Sequence, residues 1–461
     1  MIEIKEEQLE DILDKAIKKI ETQHGMQLLS ITKKIAPLDP LHFFEVAKGM
    51  KKNRTFWTST IDDFYIVGVG NAVEIVAEEE RFEVTENQWS KLLDEAIVYN
   101  PYKVPGTGIV TLGGMAFDPK KPRTDLWKKF SASQFTIPEY MLTKEDGSYY
   151  FTINIRLKRD DHAIQLANEL EQVEATFFSE RPRNTNGLIT NEKIEIQPSE
   201  WKDSVRQARE EIRKNKAEKI VLAREVRLKF NKKADITTVL ENLIQTQGNS
   251  FIFALEKNDD CFVGATPERL VKIEKDHLLS TCLAGTAPRG HTEEEDMAIS
   301  HSLFHDEKNR QEHDFVVRMI KHAIKNYCTD LEIPDEPVIY PLKNLQHLYT
   351  PVTATLKKGY SIFDIIKQLH PTPALGGTPR EESLQFIRDN ELLDRGWYGA
   401  PVGWLDSNQN GEFAVAIRSG LIQGDEASLF AGCGVVKDSD PEAEYEETNI
   451  KLLPMLSVLG G

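Results

Sequence analysis

The sequence predicts an α+β fold with large antiparallel β-sheets and flanking helices. Three observations predict it. Strand-like segments come in runs, such as SFIFALE, CFVGATPERLVKIE and HLLSTCLAG, divided by short turns. Helical periodicity is confined to stretches between these runs, so the regular strand–helix alternation of a doubly wound parallel sheet is missing. The 461 residues, 40% hydrophobic and 28% charged, suffice for a large core in one big or two ordinary domains.

Taken in order, Leu9, Ile12, Leu13, Ala16, Ile17 and Ile20 recur at helical spacing and predict an opening helix that stops near Gly25. FYIVGVG, AVEIVA, GIVTLGGMAF and YYFTINIRL then read as strands, and 161–174 as a helix. The polar, turn-rich SERPRNTNGLITNEKIEIQPSE marks a boundary between an N-terminal α+β region, 1–190, and a region spanning 195–461, the two co-folded as one large unit. A helix capped by Ser199 opens the second region. The strand KIVLAREVRLKF, a helix over 236–247 and the strand run above come next. One long helix is expected over 294–326, then VIYPLKNLQHLYTPVTATL, a helix over 362–369 and the loop HPTPALGGTPR. WYGAPVGWLD, EFAVAIRSGLI and ASLFAGCGVV end on an acidic helix.

Charge and cysteines narrow the function. A net charge of −17 argues against nucleic acid or an anionic membrane surface as partner. An anionic substrate would need a local cluster of cations, backbone N–H groups or a metal. No apolar signal core opens the chain and no run is long enough to span a bilayer, so a soluble cytoplasmic protein is expected. Cys261, Cys282, Cys328 and Cys433 are widely spaced and read as buried or free thiols in a reducing compartment. Gly68 and Gly70 lack the third glycine of a nucleotide loop, and neither a G-x-S-x-G nor a Walker loop occurs.

Several residues stand out on their own chemistry. DSDPEAEYEETNIKL crowds six carboxylates into ten residues. It reads either as a solvated acidic face or as a cation site. On a helix Glu444, Glu447 and Lys451 share one face, whereas Glu442 and Glu446 turn away. Glu312 precedes Phe315, Val316, Met319, Ile320 and Ala323 at helical spacing, which places its carboxylate on the core-facing stripe. There it is either salt-bridged or a metal ligand. Two converging carboxylates suit Mg²⁺, which keeps several waters, and the lack of H-E-x-x-H disfavours zinc. On their own, Lys219 at a strand start and Glu268 in a turn read as a solvated lysine and a turn-stabilising carboxylate.

LAREVRLKF, GATPERL, LAGTAPRG, QEHDF, LQHLYTPV, HPTPALGG, YGAPVGW, AIRSGLI, LFAGCGVV and EETNIKL occur in the order found in chorismate-utilising enzymes, which the chain resembles from about residue 195 to its end. That family comprises anthranilate, aminodeoxychorismate, isochorismate and salicylate synthases. GGMAFDP in the N-terminal part resembles the longer isochorismate synthases of quinone pathways. The resemblance implies a Mg²⁺ cofactor held by Glu312 and Glu447, with Glu444 nearby. It implies that Arg418 and Lys451 hold the substrate carboxylates, helped by Gly285, Thr286 and Gly432, and that His347, Ala374 and Leu375 line the substrate. It makes Lys219 the base that activates water and Glu268 the acid that protonates the leaving hydroxyl.

The reaction is expected to follow the nucleophile. Aminodeoxychorismate synthases resemble one another in P-I-K-G-T, whose lysine attacks the ring, and here the segment is C-L-A-G-T with Ala284 in that place. Anthranilate synthases use ammonia and typically lack a lysine at the Lys219 position. Water attack on chorismate, giving isochorismate for menaquinone synthesis without a glutaminase subunit, fits best. A salicylate synthase, which goes on to eliminate pyruvate, and a siderophore-pathway isochorismate synthase are the alternatives. A non-catalytic binding component or a plain cation-binding protein would leave Lys219 and Glu268 together unexplained. A lysine base must be largely neutral, so its pKa must fall from ~10.4 by about three units, roughly 4 kcal/mol of environmental bias. Burial and nearby cations are the expected source. Glu268 needs the opposite shift.

Overall fold

The computed structural model describes residues 6–20, 26–179, 187–343 and 345–460. The expected helix stop at Gly25 and the 180–186 part of the boundary segment lie outside the described residues. The architecture is α+β, as the strand runs predict. Among the described residues, strands form one sheet of thirteen and one of ten. Pairing is antiparallel except where Gln27–Ile35 runs parallel to Ile97–Tyr99. Both sheets draw strands from either side of residue 190. In the larger, Arg54–Ser59 pairs with Phe251–Lys257, Trp57 opposite Phe253. In the smaller, Val110–Met115 pairs with Pro401–Asp406, Gly113 opposite Gly403.

Several expected elements are placed differently, each for a local reason. The helix expected to start at Ser199 runs Pro198–Arg213 with Gln197 in the cap position, because a proline whose φ is already helical is preferred at the first turn. The long helix over 294–326 is two, Glu293–His305 and Glu307–Ile324. Asp306 breaks it by turning its side chain back to cap the second, accepting from Asn309 N at 2.8 Å. Helices Pro40–Val46, Arg81–Glu95 and Arg380–Asn390 were hidden by weak or short apolar periodicity. Leu9, Leu13 and Ala16 of the opening helix Glu6–Lys19, and Ile20 just after it, are buried as the spacing predicts. All four cysteines are buried and free. Among the described residues no helix is long and apolar enough to cross a membrane.

Candidate active site

Two crossovers between the sheets supply the first groups. The segment Cys261 to Glu274, expected as one strand, divides into Asp260–Thr266 in the larger sheet and Arg269–Glu274 in the smaller. Glu268 occupies the turn. Likewise Gly411–Val415 belongs to the smaller sheet and Ser419–Gln423 to the larger, with Arg418 between them at φ 51°. The turns are laced together, Ala265 N donating to Arg418 O at 3.0 Å and Val415 N to Glu268 O at 2.9 Å. A left-handed arginine costs about 1–3 kcal/mol and marks a place where the fold holds a side chain against its backbone preference.

Burial pushes the Glu268 carboxyl up to about 7, although Arg418, Lys451 and Lys219 all pull it down. The residue as a whole is half-buried. Burial lowers the Arg418 guanidinium, whose charged or ionisable neighbours are Tyr398, Glu268 and Glu447. It donates no hydrogen bond to any described residue. A buried cation without a bonded counter-ion, in a chain of charge −17, is suited to receive an anion.

Lys219 begins the strand Lys219–Phe230 and lies across Gly434 of the neighbouring strand, where a Cβ would come within 2.4 Å of its Cε. Its expected surroundings, burial among cations, are not what the structure shows. Nζ donates to Glu312 Oε1 at 2.6 Å, and the side chain is 21% exposed. Glu312 is not on the buried stripe either: that line is His313, Val316, Ile320 and Ile324. His313, bonded to Ala284 O at 3.1 Å and Thr350 Oγ1 at 2.7 Å, is a satisfied core histidine that the apolar count passed over. Glu312 flanks the stripe and turns toward Lys219, its side chain 41% exposed. Burial works against its charge, but Lys219 outweighs it and holds the carboxyl below the ordinary range.

The C-terminal helix Pro441–Val458 carries the acidic run, capped by Asp440. Glu442 pairs outward with Lys202, and Glu446 accepts from Asn449. Glu447 accepts from Lys451 at 2.5 Å, and Lys451 also donates to Gly432 O at 2.9 Å. Glu444 points at Ser439 and Cys433, and burial raises its carboxyl. Among the described residues no three acidic, histidine or cysteine side chains converge as a metal cluster. Glu312 and Glu447 do present hard oxygen donors, each binding its lysine through Oε1 while Oε2 takes no protein hydrogen bond from a described residue. That donor set fits Mg²⁺, which completes its shell with water and ligand oxygens.

On the opposite wall the strand His277–Pro288 bulges between Ala284 and Thr286, with Gly285 at φ 78°. A Cβ on Gly285 would stand 3.3 Å from Asn309 Cβ and Leu348 Cδ1. His347 Nδ1 lies 3.0 Å from Thr286 Oγ1 and 3.3 Å from Gly285 O. A carbonyl only accepts, so Nδ1 carries the proton. Nε2 is buried, an acceptor with no described hydrogen-bond partner. Burial, then Arg418, lowers this imidazole to about 3, so it is neutral. The loop with Ala374 and Leu375 reaches the group through Gly377 and Thr378, which pair with Ile220 and Lys219.

The structure therefore gathers Lys219, Glu268, Glu312, Arg418, Gly432, Glu447 and Lys451, with His347, Gly285 and Thr286 opposite, and the Ala374–Leu375 loop alongside. Sequence reasoning missed Gly434, whose bare Cα gives Lys219 its path, and Tyr398, whose phenol burial pushes up to about 12 beside Arg395 and Arg418. Tyr398 lay in plain view in YGAPVGW, but a phenol carries no spacing signature.

Comparison with known proteins identifies the family. A family model described as chorismate binding enzyme matches residues 15–460. Isochorismate synthase MenF of Bacillus subtilis is 41% identical over 98% of this chain and 97% of its own. The salicylate biosynthesis isochorismate synthase of Pseudomonas aeruginosa is 34% identical over 98% and 95%. The solved structure of MenF, the menaquinone-specific isochorismate synthase of Escherichia coli, superposes with a TM-score of 0.80, covering 98% of this chain and 99% of that one at 23% identity, and so attests the fold. With full-length matches to both sequence and fold, the chain belongs to the chorismate-binding enzyme family.

Proposed function

We propose that this chain is an isochorismate synthase that isomerises chorismate with water as nucleophile, works without a glutaminase subunit, and serves menaquinone synthesis in the cytoplasm. One observation carries the reading: burial pushes Glu268 up to about 7 within electrostatic reach of Arg418, Lys451 and Lys219, which suits it to hold and give a proton beside a cationic site. Similarity to the Bacillus subtilis enzyme over nearly the whole chain supports the pathway.

In this mechanism Arg418 and Lys451 take the substrate carboxylates, and the bulge at Gly285 and Thr286 and the small Gly432 let backbone approach them. His347 Nε2 accepts a substrate hydroxyl. Ala374 and Leu375 bound the ring. Lys219, once it has shed the proton it donates to Glu312, takes a proton from the water that attacks ring carbon 2, and Glu268 gives its proton to the hydroxyl leaving carbon 4, so one water enters and one leaves. Glu312 and Glu447 would hold Mg²⁺, with Glu444 behind them, and the ion supplies neutralisation of the ring carboxylate. Ala284 offers no amine to attack the ring. The test is Lys219→Ala. Chorismate affinity by calorimetry is expected to stay within about tenfold while turnover falls by about 10² to 10⁴. Joint collapse of affinity and turnover would make Lys219 a binding residue.

A further inference from the structure

The strand Lys219–Phe230 is paired along one edge with Glu426–Val435, from Ile220 to Lys229. Its other edge is covered by strands only at the ends. Gly377–Thr378 takes Ile220 and Lys219, and Thr190–Glu195 takes Val226 to Phe230. Residues 221–225 between them are buried, and among the described residues no strand lies on that side. Buried backbone groups in such a gap must find partners.

Side chains fill the gap. Ala223 N donates to Glu391 Oε2 at 2.7 Å, and Val221 O accepts from Arg395 Nη2 at 2.8 Å. Trp201 Nε1 covers Ala223 O at 3.1 Å. Glu391 and Arg395 are themselves an ion pair, through Nε at 2.7 Å and Nη2 at 2.6 Å, their side chains 1% and 2% exposed. The remaining arm, Nη1, donates to Leu375 O at 2.8 Å. One guanidinium thus ties the strand that begins with Lys219 to the loop of Ala374 and Leu375.

A buried ion pair is a poor device for stability alone, because desolvation offsets most of its attraction. Its rigid fork is a good device for fixing distances. We infer that Arg395 and Glu391 form a positioning pair that sets Lys219 against the Ala374–Leu375 loop, standing in for a missing strand at the edge of the reaction site. This rests on the proposed placement of Lys219 and that loop in the site. Behind the pair lies a cavity of about 320 Å³ lined also by Phe117, Lys121 and Trp397. A side chain truncated at Arg395 therefore leaves a hole that a small cation can enter.

The experiment measures kcat, KM and melting temperature for Arg395→Ala with and without methylguanidinium, using sodium at equal ionic strength as control. Alongside it stands Arg395→Met/Glu391→Leu, which removes both charges and keeps the volume filled. Arg395→Ala is expected to lose kcat by about 10- to 100-fold, since a small misplacement of a reacting group costs that much. Methylguanidinium restores about tenfold of it and sodium restores none. The double variant keeps its melting temperature within a few degrees yet stays slow, with KM changed less than kcat. Full kcat in a folded Arg395→Ala or in the double variant overturns the inference, and so does loss of folding in both. Lys219→Ala separates this from the reading beneath it. If that variant keeps its turnover, the site is wrong. If it is inactive while the Arg395 variants are fast, only the positioning role fails.

Discussion

At the scale of single residues, the upward shift of one buried carboxyl does the chemical sorting. Glu268 is raised to about 7 by burial, with Arg418 the strongest opposing influence. The native state therefore binds its proton more tightly than the unfolded chain. That stability is fully present below the ordinary glutamate pKa and is lost as pH rises through about 7. Melting temperature should thus decline from pH 5 to 8 more steeply in the wild type than in Glu268→Gln, and turnover should fall above about pH 7 as the acid loses its proton. A turnover that still climbs through pH 8, or identical melting profiles for the two proteins, would contradict the acid assignment. Gly434→Ala offers a second residue-scale check. Its methyl must displace Lys219, so kcat should drop by about tenfold or more with little change in chorismate affinity, read by calorimetry. Unchanged kcat would show that the lysine's path is not critical.

At the scale of elements, periodicity was a reliable guide to faces and a poor guide to breaks. Helical spacing on the C-terminal helix placed Glu447 and Lys451 together and turned Glu442 and Glu446 outward, as the ion pairs show. Glu442→Gln and Glu446→Gln should therefore leave turnover nearly unchanged, while Glu447→Gln and Glu312→Gln each weaken Mg²⁺ binding, measured by calorimetry, and abolish activity. Loss of activity in either outward variant would show that the register is wrong, and full turnover in excess chelator would remove the metal. The same spacing misread Glu312, because His313 is the buried residue and a histidine satisfied by Ala284 O and Thr350 looks polar in a one-dimensional pattern. The break at Asp306 was equally invisible, since its cap bond to Asn309 competes with helix continuation only once the helix packs. Glu268 and Arg418 were legible through motif resemblance. Their common origin at crossovers was not, because the turn at Thr266 to Arg269 in CFVGATPERLVKIE marks a break without showing that the strands on its two sides belong to different sheets.

At the scale of the whole molecule, the site depends on both sheets, and each sheet draws strands from both regions of the chain. Glu268 and Arg418 sit where strands pass from one sheet to the other, Lys219 starts a strand of the larger, His347 lies on the smaller, and Glu447 and Lys451 come from the last helix. The larger sheet places Arg54–Ser59 beside Phe251–Lys257, so a fragment spanning 195–461 would expose a buried apolar edge. Such a fragment should be insoluble or unfolded by circular dichroism, and a stable, active fragment would show that the two regions fold apart. The central claim is that water is the nucleophile, and ¹⁸O-water tests it most directly. Purified protein given chorismate and Mg²⁺, with ammonium salts present and no partner subunit, should yield isochorismate labelled at ring carbon 2. An amino product, or isochorismate without label at that carbon, would contradict it.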